Sequence, residues 1–542
     1  MGSLLNIGTS ALAAAQGSLT TISHNIANAN TEGYSRQRAQ LSTAGGLATG
    51  AGFFGRGVDL SGVQRQYDQF LTQALQGASA ASASDAARAE GLRALDAVFA
   101  GADQGIGVAL DELFGAAGDL ANRPGDASAR QVFIARVSAF SATLTAVGQR
   151  VADVASSADA GLALRVPEVN SRLSTIRRLN EQIARGGAGG QPPNDLLDQR
   201  DAEVQALSQS MAVQTVAQGD GSISLFLRSG APLLVGSQQA QLVAAPDPSD
   251  PSCTGLRLES AGAAQWLDAA ALGGGSLAGL MRVRDDDAAR ALREVGRIAT
   301  VAASALNAQH AQGIDMDGAA GQALLRVPSP RAVPAAGNTS GGAVSCSVVN
   351  AAALQSSDYE VAFDNGNWTI MRTSDGRATS ASSLPATVDG LAFGFAGTPA
   401  AGDTWLVRPF DAAATGLSAL PLGTRQIATG AAGSSAPGSD NRNALALASL
   451  ATSSLIGGQS LGDTYATLLA EVGSRVQAGV ASETVSMRLR DDALARQQTV
   501  SGVNLDEEAS DLLRFQQAYQ ASARIVQASQ SLFEALLAAT GR

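Results

Sequence analysis

Two seven-residue apolar repeats stand at opposite ends of this 542-residue chain, and each restricts its segment to a helix that must pack against another helix. At the start, Leu5, Leu12, Leu19 and Ile26 form one column, with Gly8, Ala15, Ile22 and Ala29 beside it. At the end, Leu505, Leu512, Tyr519, Val526 and Phe533 form a second, with Phe515 and Leu536 on the adjoining row. A helix turns once in about 3.6 residues, so a strict period of seven keeps a stripe facing its partner only through left-handed coiling. Leu5 and Leu505 lie 500 positions apart. The pattern therefore predicts termini that pack on each other or on neighbouring subunits, as in an assembly protein rather than a lone enzyme.

At roughly 150 residues per domain, the length predicts two to four domains. Hydrophobic residues make up 45% but aromatics only 4%, so the core must come mostly from closely packed Ala, Leu and Val. All 37 basic residues are Arg, and the net charge of −11 argues against nucleic-acid or anionic-membrane partners, which require basic patches. Cys253 and Cys346 are the only cysteines, with no CxxC pair, so neither a disulfide framework nor a zinc site is expected; a single bridge between them stays open. The first 31 residues carry no charged side chain and lack the basic start and the continuous apolar core of about 7–15 residues that a signal peptide needs. With no apolar run near 20 residues either, classical export and membrane insertion are not expected.

Along the chain, 3–28 reads as one helix whose uncharged outer face predicts protein contact on several sides. Helical spacing runs from Tyr67 to Ala160, broken at Asn122-Arg123-Pro124-Gly125. It resumes from Glu168 to Ile183, ending at the Gly-rich stretch before Pro192-Pro193, and again from Asp195 to Met211. The period then changes to two: Val213 and Val216 face Ile223, Leu225 and Leu227 across Gly219-Asp220-Gly221, which predicts a hairpin. Leu277 to His310 is helical. Tyr359 to Phe410 is the clearest β region: Tyr359, Val361 and Phe363 alternate with Glu360 and Asp364, Asn365-Gly366 is the pair best suited to a two-residue turn, and Leu391, Phe393, Phe395, Trp405 and Val407 extend the pattern. Stretches near 329–345 and 430–440 flank it. A long helix follows from Leu461 to Leu494, and Asn504 with Glu507 marks the cap of the last one. The expected fold is mainly α with an inserted β domain: a terminal coiled-coil unit (1–45 with 501–542), a long-helix unit carrying the hairpin (46–325 with 425–500), and an outer β-rich unit (326–424).

Chemistry is thinly represented. His24 and His310 are the only histidines. Asp315-Met316-Asp317-Gly318 resembles the start of a calcium loop, but the later oxygen ligands and terminal Glu do not follow. Asp285-Asp286-Asp287 sits among Arg282, Arg284 and Arg290, which predicts a salt-linked helix face. Phosphate loops, nucleophile elbows and zinc-protease signatures do not occur. No catalytic, metal or cofactor site is expected.

The segment Asn25-Ile26-Ala27-Asn28-Ala29-Asn30-Thr31-Glu32-Gly33-Tyr34 resembles the N-terminal signature of axial proteins of the bacterial flagellum. Its continuation Ser35-Arg36-Gln37, with the ending Ser501-Gly502-Val503-Asn504-Leu505-Asp506-Glu507-Glu508-Ala509 and Phe515 to Arg524, looks like the hook-associated protein 1 family of the hook–filament junction. Leu306 to His310, Gly402-Asp403-Thr404-Trp405 and Asp440 to Ala444 agree with it, whereas 231–280 carries no resemblance. The resemblance implies paired terminal helices lining a tube, a helical domain around them, and a β domain projecting outward. It implies copies of the chain in a helical ring, hook protein below and a second junction protein above, with the flagellar cap and an export chaperone acting during assembly. It also implies type III export without a cleavable signal peptide and an extracellular location. On this reading the two apolar columns, with Ile22 and Tyr34, form the assembly interface. A hook or rod subunit of the same family is the alternative, and a secreted metal-dependent hydrolase using His310, Asp315 and Asp317 is a more distant one. Because isolated helices of this length are marginal in water, both ends are expected to be mobile in the free monomer and to fold only on assembly.

Overall fold

In the computed structural model, residues 2–49, 52–101, 105–187, 192–260 and 262–541 are described. The N-terminal helix (Gly2–Ala27) lies along the C-terminal helix (Leu505–Thr540). Gly8 faces Val526 while Asn25 faces Glu508, so the two run antiparallel. Gly2 is six residues before Gly8 and thus comes level with Leu532, leaving Phe533–Thr540 beyond the reach of its partner. The C-terminal helix starts as its sequence predicts. Asn504 accepts from Asp506 N at 3.0 Å, and Asp506, Glu507 and Glu508 place negative charge at the positive end of the helix dipole.

Two strands that the sequence reading missed, Gln37–Thr43 and Val58–Arg65, pair antiparallel against the N-terminal helix. Ser10 Oγ accepts from Val58 N at 3.3 Å, and a Cβ on Gly17 would stand 2.6 Å from Leu60 Cδ2. The first strand is mostly exposed, so it carries no apolar alternation to read. The pairing crosses the boundary expected at 45.

The body is built from helices Gln69–Phe99, Ile106–Asn122, Ala127–Gly187, Asn194–Ser210, Ala289–Ala311 and Leu461–Ser501. The break at 122–125 is where the sequence places it. The separate helices expected before and after residue 160 are instead one, running through Pro167. An interior proline costs about 3 kcal/mol. Here the buried column Leu162, Val166, Val169, Leu173 and Ile176 continues on both sides of it and offsets that cost. By length and composition this helix is apolar enough to cross a membrane, yet Phe133, Val137, Phe140 and Leu144 are buried in the body core. The described helix stops at Gly187, where the Gly-rich stretch expected to end it begins; 188–191 lie outside the described residues. Between Gly275–Arg282 and Ala289–Ala311 a π-turn (Val283–Ala288) carries Asp287 inward. Asp287 is gripped by Arg88 at 2.8 and 2.9 Å and by Arg475 at 3.2 Å, which ties three helices together.

The expected hairpin, Val213–Ala217 with Ile223–Leu227, extends to four strands. A three-stranded sheet follows in the order Ala263–Leu267, Thr254–Ser260, Gln241–Pro246, and was not foreseen. Its signal was present, since Leu256 and Leu258 are buried while Arg257 and Glu259 alternate with them.

The β domain packs a five-stranded sheet on a three-stranded one. The first runs in the order Arg331–Pro334, Asp403–Arg408, Tyr359–Asp364, Asn367–Arg372, Ala378–Ala381. The second runs Ala343–Val348, Leu391–Ala396, Ala386–Val388. Two of these strands come from the stretch near 329–345 expected only to flank the domain. Asn365 (φ 50°) and Gly366 (φ 80°) form the two-residue turn between Asp364 and Asn367. Trp368 and Trp405 of the larger sheet stack on Phe395 of the smaller at 4.8 and 5.2 Å between ring centroids. One apolar core runs on from these sheets into the helical body. The joint is the short helix Asp411–Gly416, wedged where a Cβ on Gly148 or Gly296 would strike the Ala414 or Phe410 carbonyl oxygen at 2.1 Å.

Candidate assembly site at the terminal helices

Small side chains form the seam between the terminal helices. On the N-terminal helix, Gly8, Ala15 and Ile22 are buried at seven-residue intervals, with Ser18 and Asn25 on the next column. On the C-terminal helix the buried residues are Glu508, Ser522 and Ser529, in the same column as half-buried Phe515. A Cβ on Gly8 would stand 2.9 Å from Val526 Cγ2 and 3.2 Å from Ile525 Cγ2, an approach that glycine allows. The seam hydroxyls bond within their own helices: Ser18 donates to Ala14 O at 2.9 Å and Ser522 to Ala518 O at 2.8 Å. They therefore need no partner across the seam.

The predicted column of large residues is offset from this seam by three residues, about 60° around the helix. Leu12 and Leu19 are half-buried and Ile22 buried, but Leu5 and Ile26 remain 39% and 37% exposed. On the partner, Leu512, Phe515 and Val526 are half-buried, whereas Leu505, Tyr519, Phe533 and Leu536 are exposed. Leu505 and Phe533 reach 52% and 55% exposure, and Leu513, Ile525, Leu532 and Leu537 lie open with them. The structure thus brings part of the predicted set to the intramolecular seam and leaves the rest as uncovered apolar rows.

Tyr34 sits at the root of the pair instead of on these rows. Its hydroxyl lies 2.8 Å from Asn25 Oδ1 and 3.0 Å from His24 Nδ1. Burial and the nearby carboxylates, Asp198 first, raise its pKa. Next to it, Ser35 N donates to Asp198 Oδ2 at 3.0 Å, and Arg65 holds the other oxygen of Asp198 at 3.0 Å. Sequence reasoning missed Arg65 and Asp198, since nothing in their own segments marks them as partners.

The candidates for other chemistry are all engaged structurally. His310 is fully buried, with Nδ1 2.5 Å from Gln322 O and Nε2 accepting from Ala428 N at 2.8 Å; burial lowers its pKa and favours the neutral ring. Asp315 accepts from the amides of Asp317 and Ala319 at 2.9 Å, closing a turn, and Asp317 pairs with Arg425. Among the described residues no cluster of three His, Cys, Asp or Glu side chains could hold a metal ion. Cys253 and Cys346 are both free, which answers the pairing question left open by the sequence.

Comparison with known proteins agrees along the whole chain. Residues 92–325 match the family model described as the flagellar hook-associated protein FlgK helical domain, and 333–409 the flagellar hook-associated protein 1 D2-like domain. The ends match models shared with rod proteins: flagella basal body rod protein at 5–34, and the flagellar basal body rod FlgEFG protein C-terminal model at 497–539. Flagellar hook-associated protein 1 of Salmonella typhimurium is 34% identical over 552 residues, covering 99% of this chain and 100% of that one. Its Escherichia coli counterpart is 32% identical over 545 residues, with the same coverage. The solved structure described as the flagellar hook junction protein FlgK from Burkholderia pseudomallei superposes with a TM-score of 0.74 at 26% identity, covering 79% of this chain and 100% of that one. This chain belongs to the flagellar hook-associated protein 1 family.

Proposed function

We infer that this protein is a structural subunit of the bacterial flagellum that joins hook to filament, and that copies of it assemble through the uncovered rows of the terminal helices. One observation carries the assembly reading: the fully buried seam positions are mostly small, while Leu505, Leu513, Leu532, Phe533, Leu536 and Leu537 stay exposed along the C-terminal helix. Covering each Leu or Phe of those rows would contribute roughly 1.5–3 kcal/mol, a drive that only a neighbouring subunit can satisfy. Matches to rod-type models end at residue 34 and resume at 497, while the interior matches hook-associated models, which favours the junction over a rod or hook subunit.

Three units divide the work in this reading. The terminal unit, extended to Arg65 by its strand pair, makes the inner tube; the long-helix unit surrounds it; the unit from about 326 to 424 lies outermost. Partners are other copies in a ring, hook protein on one side and a second junction protein on the other. The cap and an export chaperone act during assembly. Subunits leave through the flagellar type III channel without a cleavable signal and act outside the cell. The protein works by contact, with no catalytic step. Deleting the gene and imaging the cells tests this: bare hooks, with filament protein lost to the medium, are expected. Missing hooks would move the protein to the rod or hook, and normal filaments would overturn the reading.

A further inference from the structure

Two interior segments singled out in the sequence, Leu306 to His310 and Asp440 to Ala444, meet around a stretch of chain that the assembly reading leaves unexplained. This stretch, 424–429, returns from the β domain to the body. Ile427, Ala428 and Thr429 are fully buried there, yet none of the three lies in a helix or strand. Buried main chain outside regular structure must find its partners elsewhere, and here side chains supply them. Arg130, itself fully buried, donates from Nη1 to Ile427 O at 2.7 Å and Thr424 O at 3.0 Å, and from Nη2 to Thr429 Oγ1 at 2.8 Å. Asn443 Nδ2 donates to Ala428 O at 2.7 Å, and Gln309 donates to Asn443 Oδ1 at 2.7 Å. The Ala428 N–H goes to His310 Nε2.

Both ring nitrogens of His310 are committed, and their partners fix the position of the proton. Gln322 O can only accept, so Nδ1 carries the hydrogen; the Ala428 N–H can only donate, so Nε2 must be bare. The chains cross in contact: a Cβ on Gly321 would stand 2.0 Å from His310 O and 2.8 Å from Ala428 Cβ. A second ring proton would therefore set one donor against another inside the core, beside the Arg130 guanidinium. Burial, helped by Arg130, holds the His310 pKa below its ordinary value against Gln322 O and Asp315, which favour the charged ring. The other charged groups of the surrounding segments are already paired, Asp317 with Arg425 and Asp440 with Arg442.

We propose that His310 is an acid-released latch: its neutral ring holds 427–429 in the body, and protonation at Nε2 expels the Ala428 N–H and frees that stretch. The sign follows from the depressed folded-state value. The stability that His310 contributes is fully present above about pH 6.5 and is lost as pH falls from there through the folded value. The latch lies wholly within the body, so its test is independent of the junction reading.

The experiment uses the full-length chain with 15N-labelled histidine. Only His24 and His310 are present, so His24→Gln identifies the His310 signals. Near pH 7 the 15N shifts should show a neutral ring protonated at Nδ1. Hydrogen exchange of 424–431, corrected for the intrinsic rate, should lose about tenfold in protection between about pH 7 and about pH 5. The core helix around Phe133 and Phe140 should hold its protection over the same interval. His310→Gln places an amide oxygen where Nε2 stands and does not titrate, so its protection at 424–431 should not depend on pH in this interval. A ring protonated at Nε2 near pH 7, or an acid loss in His310→Gln equal to that of wild type, would overturn the latch. The ring measurement stands even if the variant does not fold.

Discussion

The helical body and the terminal helix pair are packed by opposite rules. In the body, Phe133, Phe140, Leu113 and Ile106 are fully buried, and a charge that enters, such as Asp287, arrives with two arginines. In the terminal pair, glycine, alanine and serine go inside, while Leu505, Phe533 and Leu536 face out. A dense interior of large side chains is stable within one chain, because each buried group contributes there. A smooth seam of small residues brings two backbones close yet removes little apolar surface from water. On the proposed reading, the difference separates a part that is complete as a monomer from one that waits for neighbours.

Several substitutions would break or sharpen that contrast. The largest effect belongs to the body: Phe133→Ala should cost about 3–5 kcal/mol by opening a cavity, read as a lowered melting temperature by calorimetry. Next comes the joint to the β domain. Burial and the neighbouring Asp358 push the Asp411 carboxyl up to about 6, against the pull of Arg408 and Arg293. The stability this group contributes is thus fully present below about pH 4 and lost as pH rises through about 6. Relative to wild type, Asp411→Asn should gain on the order of 2 kcal/mol between pH 4 and pH 7 in denaturant titrations. A flat difference across that window would mean that the joint tolerates the charge.

In the terminal pair, the rules predict trouble from added bulk instead of lost bulk. Ser522→Leu should destabilise the pair by about 1–3 kcal/mol, seen as reduced incorporation into flagella with the body melt unmoved. Smallest of all is the monomer effect of Phe533→Ser, expected within about 0.5 kcal/mol of wild type by thermal melting. The same variant should nonetheless fail to enter flagella on electron microscopy. A large monomer loss from Phe533→Ser would mean that the outer rows are already covered within the chain, and the contrast would fall.

Legibility followed periodicity. The terminal helices, the break at 122–125, the long helix before residue 500 and the Asn365-Gly366 turn all stood in the sequence, because each carries a local signal strong enough to act alone. Pro167 misled, since the helix around it is held by a buried column on both sides and not by local propensity. The strands at 37–43 and 58–65 were silent because they rest on a helix and bury no alternating face. The assembly columns were legible as columns, but their orientation was not. A seven-residue repeat identifies which residues share a stripe; two adjacent stripes with the same period compete for the same partner.

By itself the sequence determined the family, the mainly α architecture with its inserted β domain, and the helical nature of both ends, all of which rest on local patterns that survive in any environment. Only the tertiary structure decided that glycine, alanine and serine take the inside of the terminal pair. It also decided that Asn25 meets Glu508 at its root, that Arg36 pairs with Glu508 there, and that Asp287 is buried and Asp411 half-buried at joints. Those outcomes depend on which backbones approach one another across hundreds of residues, and no local periodicity encodes that distance.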